Sequence, residues 1–368
     1  MLIPVQGSLL LAYYYVSTAG NYDIDWTTAQ CVLALRMIGF SFDYYDGATP
    51  KEKRQTYQKT HALDKLPPLF DFLGFGYSWS GFLVGPQYSF STYRRFIADE
   101  DKVLEHRIPV AATLTSFLIG AAYVGLSTVG GMYAPVSGML ADDFVTAWPL
   151  WQRVMYVVVA MRVCLVRYGG IWMLTNGHCI LLGIGYQKDS NGKVRWDGLA
   201  NFLPSRFETA LQIDDYVGSF NINTNLWVKE YVFKRLRFLN NKHLSLLGSM
   251  VFLAVWHGFA PGYFFNFGME FLDMLAEGHL RVLLKPFSSF AEKKGGVVKA
   301  FWNLLCYLTA FTMLSLGFQA FEMKTLENSL KAYAAIGYIG QIVPLFLVIL
   351  GIALRPLLRE RKPKQAKD

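Results

Sequence analysis

Long apolar runs alternate with shorter polar segments along most of the chain. Residues 108–130 and 300–321 form runs of about the 20 residues that a bilayer core requires, and residues 334–354 form a similar one. A longer run, residues 150–185, exceeds the length of one span. Because this run contains two adjacent glycines at 169–170, we predict that it divides there into two segments.

Two further apolar stretches are shorter or interrupted. Residues 31–42 form a short apolar segment, and residues 66–87 are apolar but broken by glycine and proline. A broken backbone is tolerated at membrane depth only where protein covers it, so residues 66–87 predict a re-entrant or interfacial segment. The run after Met1 lacks both a basic leader and a small-residue cleavage site, so we expect no signal peptide.

The polar segments between these runs predict loops. We expect loops at residues 93–106, 187–195 and 277–299, the last with a Gly-Gly turn. Residues 196–220 are mixed in polarity and are expected at the membrane interface or over the site. The tail, residues 355–368, is basic, and the positive-inside rule places it in the cytosol.

Composition agrees with a membrane protein. Of the 368 residues, 53% are hydrophobic and 17% are charged, which excludes a disordered chain and is unusual for a soluble domain. We predict an all-α fold, a polytopic bundle of transmembrane helices forming a single membrane-embedded domain over residues 1–368. The net charge of +8 orients the chain in the membrane, and no basic stripe of the kind that binds nucleic acid is present. The four cysteines have neither metal-binding nor disulfide-framework spacing.

One ionisable residue, His257, stands inside the apolar run FLAVWHGFAPGY. Burying an unpaired imidazole at membrane depth is costly, so such a residue is a candidate functional site. Burial lowers the pKa of an imidazole and keeps it neutral, so that it can accept a proton at cytosolic pH. The alternative is a core histidine bonded to a backbone carbonyl. His178 is a weaker candidate, and the other four histidines lie in polar loops or at segment ends.

A dense polar cluster, Asn221, Asn223, Thr224 and Asn225, precedes this histidine in FNINTNLW. On a helix, Asn221 and Asn225 share a face, as do Thr224 and Trp227. One interpretation is a helix N-cap, for which asparagine and threonine are good residues. Another is a place where backbone N–H groups and side-chain amides meet a developing oxyanion. The two interpretations are compatible.

The chemistry that suits His257 is general-base activation of a hydroxyl. No GxSxG elbow and no Asp/Ser partner set are present, so direct attack on a bound thioester fits better than a covalent acyl-enzyme. Lys229, Lys234 and Arg235 follow the asparagine cluster at helical spacing and are candidates for holding the phosphates of an anionic donor. Their alternative role is snorkelling at the membrane edge.

These motifs resemble those of a known family. FNINTNLWVKEYVFKRL followed by FLAVWHGFAPGY is similar to the membrane-bound O-acyltransferases, and within them to the lysophospholipid acyltransferases of the lysophosphatidylcholine type. Further similar stretches are YYYVSTAGNYDIDWT, FLVGPQYSF, RWDG and GFAPGYFFNFGMEF. The similarity covers nearly the whole chain, and the two motifs together are more specific than either alone.

The resemblance implies a multi-helix membrane fold around a buried reaction chamber, which acyl-CoA enters from the cytosol and the acceptor from the membrane. The family histidine falls on His257 as the base, and the family asparagine falls on Asn221, which assists it. The free sn-2 hydroxyl of lysophosphatidylcholine, or of the ethanolamine or serine lysolipid, then attacks the thioester. Acyl-CoA is a co-substrate, and the route needs no metal or prosthetic group.

The resemblance also implies a multi-pass protein of the endoplasmic reticulum membrane with the donor bound near the two motifs. No motif encodes acyl-chain preference, head-group preference or oligomeric state. The residues expected to bind substrate are Asn223, Thr224, Asn225, Trp227, Tyr231, Lys234, Arg235 and Trp256.

Three alternatives stay open. An acyltransferase of the same fold can use another acceptor, such as a sterol, a diglyceride or a protein. Family members usually carry several more spans before the point where this chain starts, so we expect N-terminal spans to be missing and leave open an inactive truncated isoform. A transporter with a proton-relaying histidine predicts ionisable residues on several spans and repeat symmetry, and neither is evident.

Overall fold

The computed structural model describes residues 27–358, with side chains for residues 28–354. Regular structure in this part of the chain is almost entirely helical, which confirms the predicted all-α class. A small antiparallel ribbon, β1 (Gln187–Lys188) and β2 (Val194–Arg195), closes the polar loop predicted there.

The helices follow one another with short connections. In chain order they are α1 (Thr27–Gly47), α2 (Thr56–His61), α3 (Leu69–Gly76), α4 (Phe90–Ile97), α5 (Val110–Tyr133), α6 (Phe144–Ala147), α7 (Leu150–Leu182), α8 (Pro204–Glu208), α9 (Ile213–Val217), α10 (Ile222–Val228), α11 (Lys242–His257), α12 (Pro261–Leu283), α13 (Lys285–Lys294), α14 (Gly296–Met323), α15 (Leu326–Ala335) and α16 (Ile339–Leu358). Single turns of 3₁₀-helix lie at Lys51–Lys53, Val103–Glu105, Val136–Leu140 and Arg235–Leu239, and a π-helical turn, Lys229–Phe233, follows α10.

Several described helices are long and apolar enough to cross a membrane. Three segments qualify alone: Val110–Leu140, which contains α5, and the helices α7 and α14. The first and last confirm the spans predicted at 108–130 and 300–321. The chain is therefore a multi-pass membrane protein, as predicted.

The span predicted at residues 334–354 is broken. Helices α15 and α16 qualify as a span only together, and they meet at a bend of 77°. The break falls where Gly337 and Tyr338 adopt φ of 64° and 55°. A left-handed residue ends a helix, so these two residues divide the apolar run into a short and a long piece.

The prediction that residues 150–185 divide at their glycine pair was wrong, because α7 is one helix of 33 residues. The glycines serve packing instead. A Cβ on Gly170 would lie 2.9 Å from the backbone nitrogen of Val124 on α5, and a Cβ on Gly169 would lie 2.8 Å from the ring of Phe202. Small residues let transmembrane backbones approach closely, so this pair joins neighbouring elements and does not break α7.

Of two predicted loops, residues 93–106 are α-helical only at their start, whereas residues 277–299 are largely helical. Helix α4 covers the start of residues 93–106, and α12 and α13 fill most of residues 277–299. Charged side chains suggested a solvated loop at the second position, but Glu277 is buried and accepts a hydrogen bond from the backbone N–H of Ile213 at 2.8 Å. The Gly-Gly turn is confirmed, with φ of 61° at Gly295 and 50° at Gly296.

The chain forms two compact units. The first contains the described residues up to Tyr133 with Val163–Phe207 and Val217–Phe259, and the second contains Ala134–Arg162, Glu208–Tyr216 and the described residues from Ala260. Buried aromatic and aliphatic side chains of α1, α3, α4 and the end of α7 form a core of the first unit. In the second unit, α12 packs along both α14 and α16.

Some predictions lie outside the described residues. They are the apolar run after Met1, most of the similar stretch YYYVSTAGNYDIDWT, and the basic tail beyond residue 358. The division into one membrane-embedded domain and a tail stays a prediction.

Replacing Gly170 by alanine is expected to destabilise the first unit. The added methyl group would meet the backbone of α5, and overpacking of this kind costs about 1–3 kcal/mol. Thermal unfolding of the detergent-purified protein measures the effect. The matched control is Gly125→Ala on α5, where an added Cβ meets nothing within 4 Å. Equal melting temperatures for the two variants would contradict close packing at Gly170.

Candidate active site

Asn221 lies immediately before α10, at the N-cap position that the sequence predicted. Its φ is 49°, a left-handed conformation that asparagine tolerates better than most residues. Its side chain does not cap the helix. The side-chain oxygen Oδ1 instead accepts a hydrogen bond from Nδ2 of Asn201 at 3.2 Å, and within the described part of the chain no partner is found for its amide nitrogen. The amide nitrogen is therefore available to donate to a ligand.

The other two asparagines of the cluster hold the backbone. Asn223 donates through Nδ2 to the carbonyl of Leu199 at 3.1 Å and to that of Ala200 at 3.2 Å. Asn225 donates to the carbonyls of Val217 and Phe220, both at 2.9 Å. Since buried carbonyl groups need partners, these amides stabilise the irregular chain that leads into α10. Thr224 is buried beside them.

Asn201 organises the cluster and was missed by the sequence analysis. Its Nδ2 donates to Asn221, and its Oδ1 accepts from the backbone nitrogen of Asn223 at 2.8 Å. Its backbone carbonyl also accepts from the nitrogen of Ile222 at 3.1 Å. It is 3% exposed, so a polar side chain this deep is expected to be fully bonded. The signal in the sequence was a lone asparagine between apolar residues in GLANFLP.

His257 is the last residue of α11. Gly258 ends the helix with φ of 139° and ψ of −178°, a conformation that is essentially restricted to glycine. The WHG motif therefore places the imidazole at the end of a helix, where the chain turns sharply. The rings of Trp256 and His257 meet edge to face, with centroids 4.5 Å apart.

Trp256 ties the end of α11 to α1. Its indole Nε1 donates to the carbonyl of Cys31 at 3.0 Å, and the Cys31 thiol donates to the carbonyl of Trp256 at 3.6 Å. This reciprocal pair fixes the backbone next to His257. Trp256 was predicted to bind substrate, and the bonds that it makes in the structure position the histidine segment.

The asparagine cluster and the histidine helix belong to the same unit and share a packed seam. Trp227 of α10 stacks on Phe252 of α11 with ring centroids 5.6 Å apart, and its ring lies tilted against that of Tyr231 at 5.1 Å. Trp227 also approaches α1 closely, because Gly39 has no side chain. A Cβ on Gly39 would lie 2.8 Å from Nε1 of Trp227. These contacts fix α10 relative to α1 and α11.

The basic pair of the motif has acidic partners. Arg235 binds the Asp46 carboxylate with both terminal nitrogens, at 2.7 and 3.3 Å, and lies 3.9 Å over the ring of Phe42. Lys234 lies 3.9 Å from Glu230 and 4.5 Å over the ring of Tyr57. The structure therefore brings these two cations into the protein's own ion pairs. Their predicted role in binding phosphate stays a prediction.

A cavity of about 220 Å³ lies in the first unit beside α10. Three predicted substrate-binding residues line it, Asn223, Trp227 and Tyr231. Its wall also contains charged and polar groups that no sequence motif indicated, among them Arg36, Asp43, His61, Gln87 and Glu230. Asn221 and His257 are not among the described residues that line this cavity.

Burial shifts the pKa values of several ionisable groups in the cavity wall. It raises the pKa of the Asp43 carboxyl well above its usual range, and the hydroxyl of Tyr231, which donates to Oδ1 at 2.7 Å, offsets part of that rise. Burial also raises the pKa of Tyr231. It lowers the pKa of His61, whereas Glu230, 3.6 Å away, acts in the opposite direction.

Comparisons with known proteins extend along almost the whole chain. The model of the membrane-bound O-acyltransferase family matches residues 10–318. The lysophospholipid acyltransferase 5 of Mus musculus is 34% identical over 366 residues, which are 98% of this chain and 75% of that protein. The protein of the same name from Drosophila melanogaster is 35% identical over 342 residues, 90% of this chain and 67% of its own length. The lysophospholipid acyltransferase of Schizosaccharomyces pombe is 29% identical over 358 residues, 93% of this chain and 69% of its own length.

Replacing Asp43 by asparagine is expected to change how stability depends on pH. The folded pKa of Asp43 lies above its unfolded value of about 3.9, so its contribution to stability is lost as pH rises from that value towards the folded pKa. Asparagine keeps an acceptor for Tyr231 and does not titrate. Thermal unfolding should show Asp43→Asn gaining stability relative to the unsubstituted protein at pH 8, with a smaller gain at pH 5.

The control for this series is Asp64→Asn. The Arg54 guanidinium lowers the pKa of Asp64, so that carboxylate contributes stability at higher pH and loses it as pH falls. The two variants should therefore deviate in opposite directions at pH 8. Parallel pH profiles for Asp43→Asn and the unsubstituted protein would contradict the raised pKa.

Proposed function

Because the chain belongs to the membrane-bound O-acyltransferase family, we propose that it transfers a fatty acyl group from acyl-CoA to the free sn-2 hydroxyl of a lysophospholipid. The family assignment confirms the resemblance that the two motifs predicted. It also makes the protein an acyltransferase, embedded in the membrane by several spans.

The observation that carries the choice of acceptor is the similarity to relatives that are themselves named lysophospholipid acyltransferases. In the mouse relative this similarity covers 98% of the present chain, so it includes both the asparagine cluster and the WHG motif. Lysophosphatidylcholine is the acceptor that we expect first, with the ethanolamine and serine lysolipids next. A sterol, a diglyceride or a protein acceptor is an outcome that the assay below distinguishes.

The proposed reaction is a direct transfer. His257 takes the proton from the acceptor hydroxyl, and the hydroxyl oxygen attacks the thioester carbonyl. The new carbon–oxygen bond forms, the carbon–sulfur bond breaks, and the proton passes from His257 to the departing CoA thiolate. The route uses acyl-CoA as a co-substrate and needs no metal or prosthetic group.

Asn221 is the proposed donor to the oxyanion that develops during the attack. The hydrogen bond from Asn201 to its Oδ1 supports this role, because it orients the amide with the nitrogen away from Asn201. An amide that is already oriented stabilises developing charge without reorganising during the reaction. In this proposal Asn201 is a positioning residue, and Asn221 is the residue that contacts the reacting atoms.

The endoplasmic reticulum membrane is the location that we propose from the family resemblance. Co-fractionation of a tagged full chain with endoplasmic reticulum markers, and its separation from plasma membrane and mitochondrial markers, tests this location.

Replacing His257 by alanine is expected to abolish phosphatidylcholine formation from lysophosphatidylcholine and a polyunsaturated acyl-CoA. Loss of a general base lowers turnover by about 10²- to 10⁴-fold. The assay uses microsomal or purified full chain and a panel of lysolipids, sterol and diglyceride. His243→Ala is the matched control, since His243 lies near the other end of α11 and is exposed. Equal activity of the two variants would refute His257 as the base.

Replacing Asn201 by aspartate is expected to lower kcat with little change in either KM. The aspartate still accepts from the backbone nitrogen of Asn223, but it cannot donate to Asn221, so the Asn221 amide loses its fixed orientation. We expect a loss of about 10- to 100-fold, part of the 10²- to 10³-fold effect of removing one oxyanion donor. Steady-state kinetics of folded protein measure it. A rise in KM at constant kcat would place Asn221 in ground-state binding.

A further inference from the structure

Arg36 is a buried cation in the wall of the 220 Å³ cavity, and the proposed chemistry does not use it. It lies in the middle of α1 and is 1% exposed. Its Nη1 donates to the backbone carbonyls of Phe75, Gly76 and Ser78, at 3.0, 3.2 and 3.3 Å. Its Nε and Nη2 have no partner among the described residues. The guanidinium is thus anchored on one side and unsatisfied on the other.

No carboxylate among the described residues neutralises this charge. Other arginines of the same unit have close acidic partners: Arg235 has Asp46, and Arg54 has Asp64. Arg36 is instead placed over the ring of Tyr88 at 4.5 Å. A buried charge without a partner carries a desolvation penalty of several kcal/mol, so an unpaired guanidinium in a cavity wall is expected to meet an anion.

The acidic groups of the same wall do not cancel the charge of Arg36. Asp43 is bonded to Tyr231, and burial raises its pKa, which favours the neutral carboxyl. Glu230 lies between two basic groups, His61 at 3.6 Å and Lys234 at 3.9 Å. Arg36 is therefore the cation of this wall that no carboxylate among the described residues pairs with.

Further polar atoms of the same wall are unsatisfied. Nε1 of Trp227, Nδ1 of His61, Oε1 of Gln87 and Oδ2 of Asp43 have no hydrogen-bond partner among the described residues. Buried polar groups are almost always bonded to protein, water or ligand, so several orphan atoms around one cavity indicate a polar ligand. Together with Nε and Nη2 of Arg36, four of these six unsatisfied atoms are nitrogens, which agrees with a ligand that accepts hydrogen bonds.

We propose that this cavity binds a phosphate group, with Arg36 as its principal cationic contact. The proposal rests on the proposed function, because acyl-CoA and lysophospholipid both carry phosphate. A planar guanidinium binds phosphate through two parallel hydrogen bonds, and Arg36 has two free nitrogens for this purpose. At about 220 Å³ the cavity is smaller than typical sites for whole drug-sized ligands, so it accommodates a phosphate and its neighbouring atoms and not an entire CoA.

The test measures ligand affinity without turnover. The detergent-purified full chain is titrated with each probe, and the dissociation constant is taken from the shift in melting temperature. CoA is compared with pantetheine, which lacks the phosphates. Lysophosphatidylcholine is compared with a monoacylglycerol of the same chain, which also lacks phosphate. These pairs separate recognition of phosphate from recognition of the rest of each molecule.

Arg36→Gln is expected to weaken binding of one phosphate-bearing probe by about 10- to 100-fold, the range for one charge-assisted contact, and to leave its phosphate-free counterpart unchanged. Arg36→Lys should retain part of the affinity. Arg153→Gln is the matched control, because Arg153 is half-buried and also donates to a backbone carbonyl, that of Ala335, but belongs to the other unit. It is expected to leave all four affinities unchanged.

A second variant covers the case in which Arg36→Gln does not fold. Gln87→Glu adds a negative charge to the wall at an oxygen without a hydrogen-bond partner and keeps Arg36 in place, so it should weaken binding of the same probe.

A selective loss of affinity for CoA identifies the donor as the source of the phosphate, and a selective loss of affinity for lysophosphatidylcholine identifies the acceptor. Unchanged affinities, or equal losses for a probe and its phosphate-free counterpart, would overturn the proposal. Because binding is read without turnover, these outcomes stay distinct from an absence of acyl transfer.

Discussion

The hydrogen bonds of Asn201 are the interaction on which the rest of the candidate site depends. The side chain of this buried residue holds the side-chain oxygen of Asn221 and the backbone nitrogen of Asn223, and its backbone carbonyl holds the first residue of α10. In apolar surroundings the alternative to these bonds is a set of unsatisfied amides, each with a penalty of about 1–3 kcal/mol. The start of α10 therefore has one favourable arrangement. The left-handed backbone of Asn221 persists because this network determines it.

The histidine segment is positioned by different means. Where α10 relies on amide networks, the end of α11 relies on aromatic packing and on one reciprocal pair of bonds between Trp256 and Cys31. Both elements meet α1, the first through Trp227 beside Gly39 and the second through Cys31. Helix α1 is thus the common support of the two motifs. This explains why residues so far from FNINTNLW and WHG in sequence matter for their geometry.

Features that depend on neighbouring residues in the sequence could be predicted, and features that depend on contacts between distant segments could not. The spans at α5 and α14 depend on local apolar length, so pattern alone predicted them. The N-cap position of Asn221 was also predicted, but the side chain that cap chemistry would use bonds to Asn201 instead. The continuity of α7 depends on α5 filling the space beside Gly170, which no local pattern encodes. The orphaned charge of Arg36 was equally out of reach, because it is defined by the absence of a partner in three dimensions.

The basic residues also show that contacts between distant segments, which the local sequence does not reveal, affect the assignment of function. Lys234 and Arg235 are adjacent to the motif, and their role in binding phosphate stays a prediction; in the structure Arg235 meets Asp46, which is 189 positions away in the chain. Arg36 is not part of either motif, and the fold leaves it without a carboxylate partner among the described residues. The capacity of a cation to attract a ligand depends on what the protein has already placed beside it, so the unpaired charge of Arg36, and not the density of charges in a motif, supports the proposed phosphate site.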